Sequence, residues 1–129
     1  MPGDVLLDTS VAIGILNRNV DLDARRREGL QAYLCLTVVG ELYFGTERSG
    51  DVVANRARVD RLVELCPLAP QDLATARRYG ALKALLRQKG RPIPENDVWI
   101  AACALRHGLV LATRDQHFGE IAELRVDAW

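Results

Sequence analysis

Short apolar runs and longer helix-spaced repeats alternate along the chain. Residues 4–7 read as a first buried strand. Val11 and Ile15, then Ala12 and Leu16, fall four apart on one side of a short helix that Ser10 can cap, and Asn17 and Asn19 end it. A polar stretch with Asp21, Asp23 and Arg25-Arg26-Arg27 leads into a predicted second helix over 24–32. Residues 33–36 read as a strand, after which Thr37 can cap the next helix. Val59, Leu62 and Val63 recur at helical spacing within 52–65. Pro67 and Pro70 bracket a short apolar piece at 65–69, suited to an edge strand. Residues 71–89 carry a long helical pattern that Gly90 stops. Pro92 and Pro94 enforce an extended link. Residues 96–107 form another helix, capped by Asn96 and closed by Gly108, with strands at 109–112 and 124–126. Strands alternating with helices predict one α/β domain over 1–129, with a mainly parallel central sheet flanked by helices.

With 129 residues, one domain can bury a sizeable core, and 49% hydrophobic and 26% charged content is ordinary for a globular protein. No apolar stretch reaches the roughly 20 residues of a membrane span. The chain enters its first strand with no basic leader, so cytoplasmic residence without membrane attachment is expected. Cys35, Cys66 and Cys103 are too scattered for a zinc site or a disulfide framework and read as buried thiols. Seventeen basic and seventeen acidic residues cancel, so net charge names no partner. Distribution says more: from Arg77 to Arg91 the chain carries six cations and no acid. Such a run is a solvated helix face or a phosphate-backbone contact.

Four acids stand where chemistry is done in α/β proteins. Asp8 and Asp115 each follow an apolar strand, whereas Glu41 and Asp97 sit near the starts of apolar helices. Strand C-termini and helix N-termini line one edge of a parallel sheet, where ligands bind. Carboxylates gathered there repel one another unless a cation neutralises them, and oxygen-only donors suit Mg²⁺ or Mn²⁺. Singly, each acid has a structural alternative as a helix cap or a turn residue. Ser10, Thr113 and Arg114 add two hydroxyls and a cation beside Asp8 and Asp115 to position water or substrate. His107 suits the C-terminal dipole of its helix. His117 lies nearer the expected cleft but is not counted in the site.

Leu7-Asp8-Thr9-Ser10, Gly40-Glu41-Leu42 with Gly45, the segment from Ile93 through Asp97 to Ala102, and Leu111-Ala112-Thr113-Arg114-Asp115 with His117-Phe118 resemble the motifs of PIN-domain nucleases. The likeness runs over essentially the whole chain and is greatest to the VapC-type toxins. Many members carry Asn where Ser10 stands. The resemblance implies a PIN-like three-layer fold and a Mg²⁺- or Mn²⁺-dependent endoribonuclease. Asp8 and Asp97 would be principal metal ligands, with Glu41 and Asp115 completing the site, and an activated water would attack an RNA phosphodiester. It also implies a homodimer and a VapB-type antitoxin that covers the cleft.

Other classes fare worse. A haloacid-dehalogenase-type phosphotransferase needs an Asp where Ser10 stands. A phospho-receiver needs a late-strand lysine, yet the only lysines are Lys83 and Lys89. Nucleotide-cofactor binding lacks its glycine signatures. A non-catalytic binding module on the same fold, or an RNA-processing PIN nuclease without an antitoxin, stays open.

Overall fold

Three consecutive buried side chains need cover on both faces of a sheet, and Val5, Leu6 and Leu7 find it in β1 (Val5–Leu7). The structure, a computed structural model, describes residues 3–129. Strand β1 pairs in parallel with β2 (Ala32–Tyr33) on one side and with β3 (Val110–Ala112) on the other. Strand β4 (Val126–Asp127) extends the sheet beyond β3. The order is therefore β2-β1-β3-β4. Chain connections leave β1 and β3 in opposite directions, so the crevice at their C-terminal ends is a topological switch point.

Helices flank the sheet: α1 (Thr9–Leu16), α2 (Leu22–Arg27), α3 (Leu36–Glu47), α4 (Val52–Leu65), α5 (Leu73–Gln88) and α6 (Glu95–His107). Helix α5 lies along α6, α3 along α4, and α1 against both α3 and α4. Val98, Ile100, Ala101, Ala102, Cys103 and Ala104 are all buried, which makes α6 the central helix. It ends at Gly108, whose φ of 65° closes the last turn in the left-handed region that glycine tolerates best. A 3₁₀ turn (Gln116–Glu120) follows β3, pinned to the core by Phe118 at 1% exposure. Burying a side chain of that size stabilises by roughly 1.5–3 kcal/mol.

Local hydrogen bonding moved several expected boundaries. Asp8, not Ser10, caps α1, accepting from the Val11 N–H at 2.8 Å. Helix α2 is capped by Asp21 and stops at Arg27, so Ala32 is released to pair with Val5. Leu36 starts α3 rather than ending a strand. Thr37 is not its cap; its N–H and hydroxyl instead donate to Gln71 Oε1 at 2.7 and 3.0 Å. The expected edge strand at 65–69 shrinks to one parallel bridge between Leu34 and Leu68, because α4 runs through Leu65. Asp72 caps α5 in a reciprocal pair with Thr75. Pro94, not Asn96, occupies the cap position of α6. His107 Nε2 lies 2.7 Å from the Pro70 carbonyl, a structural tie between α6 and the chain entering α5.

All three cysteines are free and buried. Burial pushes the Cys66 thiol up to about 11. Among the described residues, no helix is long and apolar enough to cross a membrane.

Candidate active site

Asp8 is the first residue beyond β1, and its N–H donates to the Ala112 carbonyl at the end of β3. That register sets Thr113, the first residue beyond β3, beside the Asp8 carboxyl. The Thr113 hydroxyl donates to Asp8 Oδ2 and accepts from the Asp115 N–H at 3.0 Å. Ser10 Oγ faces both carboxyl oxygens, at 2.8 and 3.0 Å. Asp8 and Thr113 are only 1% and 5% exposed, so these partners are what makes burial of the carboxyl tolerable. Asp8 is thus both a helix cap and a fixed, acceptor-rich corner of the cleft.

Glu41 joins from the second turn of α3, accepting from Thr9 Oγ1 at 2.7 Å. Thr9 adjoins Asp8, so the hydroxyl ties the two acidic segments together. Asp97 sits in the first turn of α6, with 18% of its side chain exposed. Its carboxyl is held above the ordinary 3.8 by burial. His117 opposes that shift, while the nearby charges of Glu41 and Asp115 add to it. Asp97 therefore feels the negative charge of both Glu41 and Asp115. Asp115 is exposed at the head of the 3₁₀ turn.

Sequence reasoning left out His117, which the structure adds. Its Nε2 lies 2.9 Å from Asp97 Oδ2, out of line for a hydrogen bond, and has no other partner among the described residues. The buried Phe118 packs beside it, ring centroids 4.7 Å apart, and an aromatic anchor directly after the histidine was the available signal. Arg114 departs from expectation: its guanidinium donates to the Trp129 carbonyl, tying the C-terminal segment to the end of β3. The geometry engages Arg114 in that tie.

Among the described residues, neither Lys nor Arg pairs with Asp8, Glu41, Asp97 or Asp115. No three Asp, Glu, His or Cys side chains stand close enough there to grip one ion together. Mg²⁺ asks for less, since it keeps several waters and takes one or two carboxylates directly. Hard oxygen donors, repulsion felt at Asp97 and the lack of a lysine or arginine partner among the described residues fit such an ion.

The PIN domain family model matches residues 5–124. The tRNA(fMet)-specific endonuclease VapC of Shigella flexneri is 30% identical over 96% of each chain. Ribonuclease VapC4 of Mycobacterium tuberculosis is 32% identical, over 94% of this chain and 93% of its own. The VapBC of Salmonella typhimurium, solved bound to DNA, superposes with a TM-score of 0.89 at 26% identity, over 100% of this chain and 99% of that one. This chain belongs to the PIN-domain family, on its VapC branch.

Proposed function

We propose that the chain is a Mg²⁺- or Mn²⁺-dependent endoribonuclease and the toxin of a toxin–antitoxin pair. The observation that supports the reading best is the set of acids around the β1/β3 switch point. Asp8 is bonded to Thr113 across the two strands, Asp97 feels the charges of Glu41 and Asp115, and no lysine or arginine pairs with any of the four among the described residues. Asp8 and Asp97 would hold the ion, with Glu41 and Asp115 reaching it directly or through water. When bound, such an ion makes a coordinated water more acidic and offsets charge on the phosphate. The chain's own groups do the positioning. Ser10 and Thr113 lock the Asp8 carboxyl, Thr9 locks Glu41, and His117 stands beside Asp97. The names of the Shigella and Mycobacterium relatives support RNA as the substrate, and tRNA(fMet) is the first RNA to test.

An antitoxin partner is supported by the VapBC complexes among the structural relatives. A cavity of about 190 Å³ between α1, α3 and α4, with Ile13, Leu16, Leu42 and Val59 in its lining, has Glu41 at its edge. It suits apolar side chains of a partner segment that also sets a cation over the acids. Leu68 and Leu73, 41% and 69% exposed, offer apolar surface for a homodimer to cover.

Purified protein freed of antitoxin should cut total RNA into discrete fragments with Mg²⁺ or Mn²⁺ and stop in excess chelator. Identical cleavage in chelator would remove the metal from the mechanism.

The basic segment needs revising for its pairs. Arg78, Lys83 and Lys89 face Glu123, Glu95 and Glu120 at 3.5, 2.7 and 4.0 Å, whereas Arg77, Arg87 and Arg91 have no ion-pair partner among the described residues. Changing the latter three to Gln should weaken RNA binding and flatten the log-affinity against log-salt slope by about 2, as three lost single-strand phosphate contacts would. An unchanged slope would leave them a solvated helix face.

A further inference from the structure

We propose that the groove on the far side of Glu41 is a subsite for an unpaired nucleobase, adjoining the phosphate handled by the acids. The inference rests on the nuclease reading above and adds a part of the substrate to it. The groove, of about 770 Å³, has Thr9 and Glu41 in its wall, so it is continuous with the acidic cleft. That volume is within the ordinary range for a small-molecule site.

Its walls have the chemistry of a base pocket. Phe44 is 61% exposed and carries the Arg48 guanidinium 4.7 Å from its ring centroid. Trp99 also lines the groove, one face already stacked on Tyr79 at 3.9 Å and 10°. That stack fixes the indole before any ligand arrives. Unpaired bases bind by stacking on such rings, and a nearby arginine attracts the backbone phosphate. A base in a duplex, stacked on both faces, has no free face to offer. Gln71 and Asn96 supply polar groups at the rim. Gln71 Oε1 is occupied by Thr37, which leaves its NH₂ as the group for a base carbonyl or ring nitrogen.

The floor is open because residue 40 is glycine. A Cβ built there meets nothing within 4 Å, so the absent side chain creates space rather than relieving a clash. Leu36 and Phe44 flank it one helical turn away on each side, at 58% and 61% exposure. An antitoxin segment seated between α1, α3 and α4 would use the other side of Glu41, so the two grooves adjoin along Ile13, Glu41 and Gly45 and otherwise have different linings.

Trp99 provides the readout. In a Trp129→Phe background it is the sole tryptophan, since the chain has two. Short single-stranded oligoribonucleotides, titrated in excess chelator so that nothing is cut, should quench its emission, and the same sequences as duplexes should not. Gly40→Leu fills the groove and Phe44→Ala removes a wall. Each should weaken quenching by about tenfold, the scale of one stacked base, with thermal melts unchanged in cooperativity. With metal, both should alter the preferred cleavage site of the parent. If both variants keep parental affinity and cleavage pattern, the subsite is wrong and the nuclease reading stands. Quenching by oligonucleotides in a parent that cleaves no RNA would sink the nuclease reading and leave a base-binding groove. A Gly40→Leu protein whose sedimentation shifts from dimer to monomer with RNA binding unmoved would assign the groove to a second copy and overturn the proposal.

Discussion

An Asp97→Asn protein is expected to stay folded and lose RNA cleavage by about a hundred- to a thousandfold, the usual scale for removing one charge-stabilising group from a reaction centre. The change keeps the side chain's shape and removes a negative donor. Its stability should move the opposite way. The Asp97 carboxyl is held above its ordinary 3.8, so between that value and its folded-state value the folded chain binds more protons than the unfolded one. Stability attributable to this group is therefore greatest at acid pH and falls as pH rises through the shifted value. At neutral pH without metal, Asp97→Asn should melt a few degrees above the parent, and the gap should close as pH is taken down towards 3.8. Added Mg²⁺ should then raise the parent's melting temperature more than the variant's, because only the parent retains the donor.

Asp8→Asn separates the two effects. It should also lose cleavage, yet melt lower than the parent. Asp8 accepts from the Val11 N–H and from the Ser10 and Thr113 hydroxyls. An amide keeps only one acceptor oxygen, and a buried hydroxyl left without an acceptor costs roughly 1–3 kcal/mol. Calorimetry of the two variants side by side checks this. Equal gains in both would mean the hydroxyl shell around Asp8 contributes nothing, and parental turnover in both would overturn the assignment of ligands.

Expression of the chain alone in a bacterial host is expected to arrest growth, and co-expression of a small cognate antitoxin to relieve it. This prediction follows from membership of the VapC branch and from acids that no lysine or arginine pairs with among the described residues. Growth unaffected by well-expressed, folded protein would favour an RNA-processing nuclease without an antitoxin. Arrest that persists in Asp97→Asn would be more damaging, since toxicity would then not need the site. Colony counts with and without induction, for parent and variant, decide among these outcomes.

How much of the fold could be read beforehand differs by element. Val5-Leu6-Leu7 and Val110-Leu111-Ala112 were legible as strands because both faces are covered and the apolar run is unbroken. Helix α6 was legible because its apolar residues crowd every side. Starts of helices were the weak point. Several capping residues stood within a few positions of one another, and only a closed hydrogen bond chooses among them. Asp8 won over Ser10 because its carboxyl reaches the Val11 N–H, and Pro94 displaced Asn96 because its carbonyl already accepts from the Asp97 and Val98 N–H groups.

The candidate site divides along the same line. Residue chemistry and local position nominated the four acids, since a carboxylate one step beyond a buried strand, or at the head of a buried helix, is a local property of the chain. Sequence alone also determined that Ser10, Thr113 and Arg114 would lie near those strand ends. Tertiary structure decided which groups touch. Thr113 lies 105 residues from Asp8 and reaches it only because Leu7 and Ala112 pair in register on adjacent parallel strands. His117 entered, and Arg114 became tied to Trp129, according to how Phe118 and the C-terminal segment packed. Long-range register and core packing set those directions, and no local pattern of apolar and polar residues encodes them.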